Sequence, residues 1–417
     1  MSVKKKLVTN FVSLASVQGL NFILPLITIP YLLHVLGPDR VGLINFAQAF
    51  IQYFILFTDY GFIFVATRDI SLAREDNKKL SVIFSTVMLV RTLLMLISFI
   101  VLIVLLYTVP KFKADSMIYI LTFGMVLGNV LFPIWFFQGI EKMKTISILN
   151  AISKVIFTLG IFVFVTDESK FMYVPIFNSL GYIAIGIIAI YVITSHHGIH
   201  FVKPSKEDIM YQLKSGWHIF VSNIMTSLYT TSNVFILGFF ASNTIVGYYS
   251  SAEKVVKAVL SIITPLVQTV YPHLSRALQE SREAAIALLH KVFLLVTVLM
   301  ATLSLFVGIF AAQIVEIVFK YEEITPILQI LAAFPLILGW ANVFAILTMI
   351  NFDYKKELSR IYIAASIFSV ILMFLLIPQF KQYGTAWTAV LTEAFATSLM
   401  AIFLWKKGIH VWKWRGK

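Results

Sequence analysis

The sequence predicts an all-α integral membrane protein with about twelve transmembrane helices. Of its 417 residues, 59% are hydrophobic and only 13% charged. The mean hydropathy is +0.89. Apolar stretches near the length that spans a bilayer, about 20 residues, recur along the whole chain. Soluble domains carry about 25% charged residues, so the polar surface is too small to cover a soluble protein of this size.

Twelve segments satisfy the length criterion, at approximately 10–35, 42–66, 80–107, 117–138, 147–166, 172–194, 216–240, 246–270, 291–312, 325–350, 359–378 and 384–405. The basic start "MSVKKK" resembles a signal peptide. The apolar stretch behind it is too long and lacks a small-residue cleavage site, so it is predicted to remain as the first span. An even span number puts both termini on one side. That side carries 23 Lys and Arg against six opposite, and the remaining four, Arg91, Lys154, Lys254 and Lys257, lie inside spans. By the positive-inside rule both termini are cytoplasmic.

The formal charge of +13 would suggest nucleic acid in a soluble protein. Here the basic residues collect in short loops, where topology and anionic lipid headgroups account for them. There are no cysteines, which excludes disulfides, thiolate metal sites and cysteine nucleophiles. The loops leave no room for an extramembrane catalytic domain, and acids pair only in short loops ("RED", "TDES", "KED", "YEEIT"). A membrane glycosyltransferase or polymerase is therefore disfavoured.

The longest cytoplasmic connection, "SHHGIHFVKPSKEDIMYQLKSG", separates spans 6 and 7. It predicts an N-terminal six-helix bundle over 1–195, a linker over 196–215 and a C-terminal bundle over 216–417. His196, His197 and His200 within it read better as a polar interfacial loop than as a metal site. A faint repeat supports the division: "VGLINFAQA" opens span 2 and "VGYYSSAEK" span 8, while "LFPIW" and "AFPLI" place Pro133 in span 4 and Pro335 in span 10. Six spans per half keep the copies parallel, with pseudo-two-fold symmetry about the membrane normal.

Polar residues recur at helical spacing. In span 8, Ser250, Glu253, Lys254, Lys257, Ser261, Thr264, Gln268 and Tyr271 form one continuous face. Span 1 carries Gln18, Asn21, Pro25 and Thr28. Span 2 carries Asn45, Gln48, Gln52 and Asp59, and span 7 carries His218, Ser222, Thr226, Tyr229 and Asn233. Spans 1 and 7 correspond under the repeat, as do spans 2 and 8, so the two pairs are expected to meet around one central hydrophilic cavity. The competing reading is interhelical hydrogen bonding at packed interfaces, with Glu253 and Lys257 neutralising each other and Lys254 snorkelling.

A charge at a helix centre costs roughly 2.5–3.5 kcal/mol on insertion scales. Arg91, Lys154, Lys254 and Lys257 therefore stand as contacts for an anionic passenger, and Asn21, Gln52, Tyr229 and Asn233 as partners for hydroxyl-rich groups. For Arg91 and Lys154 an interhelical bridge to an acid is the alternative. Asp59, Glu253 and Glu393 remain for coupling or charge balance. Neither metal nor organic cofactor is expected, and a coupling H+ or Na+ is left open.

The blocks "LPLITIPYLLHVLGPDRVGLINFAQAFIQYF" (Leu24–Phe54), "DYGFIFVATRDIS" (Asp59–Ser71), "WFFQGIEKMK" (Trp135–Lys144) and "VGYYSSAEKVVKAV" (Val246–Val259), the last followed by "YPHLS", resemble Wzx-type O-antigen flippases. These are polysaccharide transporters of the multidrug/oligosaccharidyl-lipid/polysaccharide (MOP) exporter superfamily, and the similarity covers nearly the whole chain. The resemblance implies twelve helices in two six-helix bundles, V-shaped around a central cavity. It implies movement of undecaprenyl-diphosphate-linked oligosaccharide from the cytoplasmic to the periplasmic leaflet of the bacterial inner membrane. It further implies membrane lipids, the O-antigen polymerase and the glycosyltransferases of the same pathway as partners, with no nucleic acid. Two readings compete within the same fold: a flippase for another lipid-linked glycan precursor, and a cation-coupled multidrug exporter, which would favour intramembrane acids over bases.

Overall fold

The structure, a computed structural model, describes residues 3–412; the side chains of residues 1–23, 25–26 and 228–230 lie outside the description. Seventeen α-helices follow one another among the described residues: α1 Val3–Asp59, α2 Phe62–Leu72, α3 Asn77–Thr108, α4 Pro110–Ala114, α5 Ser116–Leu131, α6 Ile134–Gly139, α7 Met143–Phe164, α8 Tyr173–His196, α9 Lys206–Thr230, α10 Ser232–Phe240, α11 Asn243–Leu260, α12 Ile263–Glu280, α13 Arg282–Ile309, α14 Ala311–Val318, α15 Ile324–Leu331, α16 Phe334–Asn342 and α17 Lys355–Lys406. A π-helical stretch, Val343–Ile350, continues α16. Lipid offers no partner for backbone N–H and C=O groups, so an apolar chain must satisfy them within its own helices.

Nine helical stretches among the described residues are long and apolar enough to cross a membrane. Two of the long helices, α1 and α17, hold a non-helical residue inside them. Gly37, at φ 73° and ψ 165°, divides α1 between predicted spans 1 and 2. Lys381, at φ 48° and ψ −120°, divides α17 between spans 11 and 12. A Cβ on Gly384 would lie 2.3 Å from the Leu376 carbonyl oxygen, so only glycine allows that hairpin to close. Pro133 sits at the α5–α6 interruption and Pro335 opens α16 just after the α15–α16 interruption. A proline lacks the N–H that would continue the ladder, so each marks a break within its span.

The chain forms two compact units, Val35–Ile224 and Met1–His34 with Met225–Lys417. In Val35–Ile224, α8 packs along α5 and α7. Gly124 and Gly128 on α5 form a G-x-x-x-G pair. A Cβ on Gly128 would stand 2.4 Å from the Tyr182 backbone carbon, and one on Gly124 2.6 Å from Ser179 Cβ. Small residues let helix backbones approach this closely in a membrane, and Ser179 Oγ then donates to the Leu121 carbonyl at 2.7 Å. Gly128→Val is expected to force α5 and α8 apart at a cost of about 1–3 kcal/mol, the range for overpacking. A lowered thermal midpoint in detergent would register it, and an unchanged midpoint would show that the interface can relax.

The core of the Met225–Lys417 part is built around α13, the π-helical stretch and α17, with Val296, Met300, Leu347, Ala365 and Met400 all buried. Hydroxyls along the spans mostly bond the carbonyl one turn back, as Thr28 does to Leu24, Thr86 to Val82 and Ser222 to His218. Such bonds satisfy a serine or threonine inside its own helix.

Candidate functional site

In Val35–Ile224 the charged centre is an ion pair. Arg91 is 2% exposed. Its Nη2 donates to Asp59 Oδ1 at 2.6 Å and to Asn129 Oδ1 at 2.5 Å. Three consecutive spans meet there. Asp59 ends α1, and the chain then turns through Tyr60 (φ 43°) and Gly61 (φ 81°). The Asp59 side chain remains 39% exposed while its partner is enclosed. Asn45 is buried, Gln52 exposed and Lys154 half-buried on α7.

The second site lies within the other unit. A cavity of about 310 Å³ is lined by Asn233 from α10, Glu253 and Lys257 from α11, and Tyr362, Thr392 and Glu393 from α17. Its volume stands at the small end of ligand sites, roughly 300–1,000 Å³. That is room for an ion with its water, and too little for an oligosaccharide. Lys257 Nζ pairs with Glu253 Oε2 at 2.9 Å across one helical turn. Glu393 is 7% exposed and has no ion-pair partner among the described residues. Lys254 is half-buried on the same helix and does not line the cavity.

The structure thus brings Asn233, Glu253, Lys257 and Glu393 together, and separately Asp59 and Arg91. The span 8 polar face is interrupted: α11 ends at Leu260, Ser261 Oγ turns back to the Ala258 carbonyl at 2.5 Å, and α12 restarts at Ile263. Asn21 and Tyr229 have side chains outside the described residues. Tyr362 and Thr392, which are missing from the predicted polar faces, lie in spans 11 and 12, where Tyr362, Ser366 and Ser369, and Thr385, Thr388 and Thr392, do recur at helical spacing and could have singled them out.

Two of the sequence blocks quoted above clasp each other. Thr67 Oγ1 lies 3.1 Å from the Trp135 carbonyl oxygen and 3.3 Å from Gln138 Oε1. Arg74 Nη2 donates to the Gly139 carbonyl at 3.1 Å and pairs with Glu141 at 2.9 Å. That hydrogen bond holds the Glu141 carboxyl below its ordinary value. A Cβ on Gly139 would fall 2.4 Å from Ile70 Cγ2, so glycine is required for α2 to meet α6. The buried Gln212 adds a bond to Asp69 Oδ2 at 3.0 Å.

Helical stretches long and apolar enough to cross a membrane, with charges paired inside them, define a polytopic membrane protein. Residues 7–278 match the family model described as "Polysaccharide biosynthesis protein", and the chain belongs to that family. It is 34% identical over 403 residues to an Escherichia coli (strain K12) protein described as "Putative O-antigen transporter", covering 96% of this chain and 97% of that one. A Shigella dysenteriae protein of the same description is 27% identical, over 95% of this chain and 98% of its own length. Among solved structures, the inward closed conformation of the lipid II flippase MurJ aligns at TM-score 0.73 and 12% identity, over 96% of this chain and 90% of that one. The inward-facing conformation of a multidrug resistance MATE family transporter of the MOP superfamily aligns at TM-score 0.71 and 12% identity, over 94% and 96%. The fold is like that of these two transporters. The relatives' names describe transporters, a non-enzymatic role.

Proposed function

We propose that this chain is a flippase carrying undecaprenyl-diphosphate-linked O-antigen units from the cytoplasmic to the periplasmic leaflet of the bacterial inner membrane. Near full-length similarity to the Escherichia coli protein carries this reading. Twelve spans in two parallel six-helix repeats, both termini cytoplasmic, complete it, supported by the basic asymmetry of the loops. The diphosphate passes along lysines, glycan hydroxyls meet amides and phenols, and the polyprenyl tail stays in lipid. A potential negative inside favours outward movement of a dianion by roughly 2.3 kcal/mol per charge per 100 mV. Expression in an O-antigen strain lacking its own flippase should restore the lipopolysaccharide ladder. Restoration of drug resistance without any ladder would favour the exporter reading instead.

Glu393 is the acid best placed to couple transport to H+ or Na+. A buried carboxylate without a counter-ion is costly, and a proton or a cation entering the cavity beside it removes that cost. Asp59, the other acid proposed for coupling, already faces Arg91. Glu393→Gln should therefore leave the protein folded while abolishing the ion dependence of transport. Unaltered ion dependence in Glu393→Gln would mean that coupling resides elsewhere.

A further inference from the structure

The hexapeptides Gly198–Lys203, "GIHFVK", and Gly408–Lys413, "GIHVWK", share four of six residues. One follows predicted span 6 and the other span 12. Both glycines adopt positive φ, 62° and 70°, which turns the chain back out of the helix it has just left. Ile199 and Ile409 are each 0% exposed. Ile409 N–H donates to the Leu404 carbonyl at 3.0 Å and Ile199 N–H to the Ile193 carbonyl at 3.5 Å. The isoleucine after the glycine is thereby tied to the helix end and driven into the core.

Each segment then docks on the helix that forms the third predicted span of its six-span half. The first lies along α3: His200 N–H donates to Ser81 Oγ at 3.2 Å and Val202 N–H to Ser85 Oγ at 2.9 Å. The second meets α13, where His290 Nδ1 lies 2.9 Å from the Val411 carbonyl oxygen. A carbonyl only accepts, so Nδ1 carries the proton there. Ser85 and His290 occupy matching places, each nine residues beyond the side chain that caps its helix, Asp76 and Ser281. An aromatic ring seals both: Phe201 lies 5.2 Å from Phe84, and Trp412 6.2 Å from Phe344.

We infer that residues 198–202 and 408–412 are duplicated straps, each filling an equivalent groove in its own unit, the first clamping the end of predicted span 6 to α3 and the second the end of predicted span 12 to α13. The groove's partner is thus a segment of the same chain, and residues 198–202 are a docked element rather than a flexible linker. An apolar isoleucine, a backbone turn fixed by glycine and one hydrogen bond from a matched helical position make the clamp. This does not depend on the transported substrate.

Labelling kinetics test it, because the chain has no native cysteine. In detergent-solubilised full-length protein, Ile199→Cys and Ile409→Cys should react with a maleimide far more slowly than Lys203→Cys and Lys407→Cys, whose positions are exposed. Adding Ser85→Ala should speed the reaction at position 199 about two- to tenfold, the size expected for one lost hydrogen bond, and leave position 409 unchanged. Adding His290→Ala should do the converse. Equal rates at buried and exposed positions would overturn the straps. A response at one strap without its counterpart would overturn their equivalence.

Discussion

Asp59→Ala is expected to destabilise the protein by about 3–5 kcal/mol, the range for removing one partner of a buried pair, and by more than Arg91→Met does. The asymmetry follows from exposure. Arg91 is 2% exposed, whereas the Asp59 side chain is 39% exposed. Removing the acid strands a cation that water cannot reach. Removing the cation leaves a carboxylate that water can partly solvate, so its cost falls below that range. The double variant Asp59→Ala/Arg91→Met strands neither charge and should recover much of the loss, leaving Asn129 without its donor. Thermal unfolding in detergent across the four proteins measures the cycle. If Arg91→Met were the worse single variant, the pair would not be what holds spans 2, 3 and 4 together.

Much of this architecture can be read from periodicity and composition. The apolar segments coincide with helices because a bilayer leaves the backbone few other solutions, and Pro133 and Pro335 mark breaks because of what proline lacks. The breaks at Gly37 and Lys381 are subtler, since each depends on one residue's φ and ψ. The partner of Arg91 lies 32 residues away, and no helical spacing links positions on two different spans. Burial of Ser85 and Ile199 depends on a docking contact between residues more than a hundred apart. A signal for the straps does exist in the sequence: the same Gly-Ile-His triplet stands just behind span 6 and again just behind span 12. It lies in polar connections, where hydropathy patterns carry no information. The cavity at Glu393 needs α10, α11 and α17 at once, so only a folded chain displays it.

Lys254→Ala is expected to reduce glycan export sharply while leaving the protein inserted and abundant. Glu253, Lys254 and Lys257 together carry one net positive charge on α11. Glu253 and Lys257 pair at 2.9 Å, so removing Lys254 brings the net charge of the three to zero. A charge-assisted contact contributes about 1.5–3 kcal/mol, roughly ten- to hundredfold in affinity for the diphosphate of the proposed substrate. Lys254→Arg keeps the charge and should retain part of the export, although a bidentate guanidinium can hold a phosphate too tightly for release. The paired substitution Glu253→Gln/Lys257→Ala also keeps the net charge at plus one and should export better than Lys254→Ala. Ladder intensity in a flippase-deficient strain, normalised to protein in the membrane, ranks the variants. If Lys254→Ala exported normally, or if the paired variant were the more damaged, net charge on this helix would not be what the proposed diphosphate substrate senses.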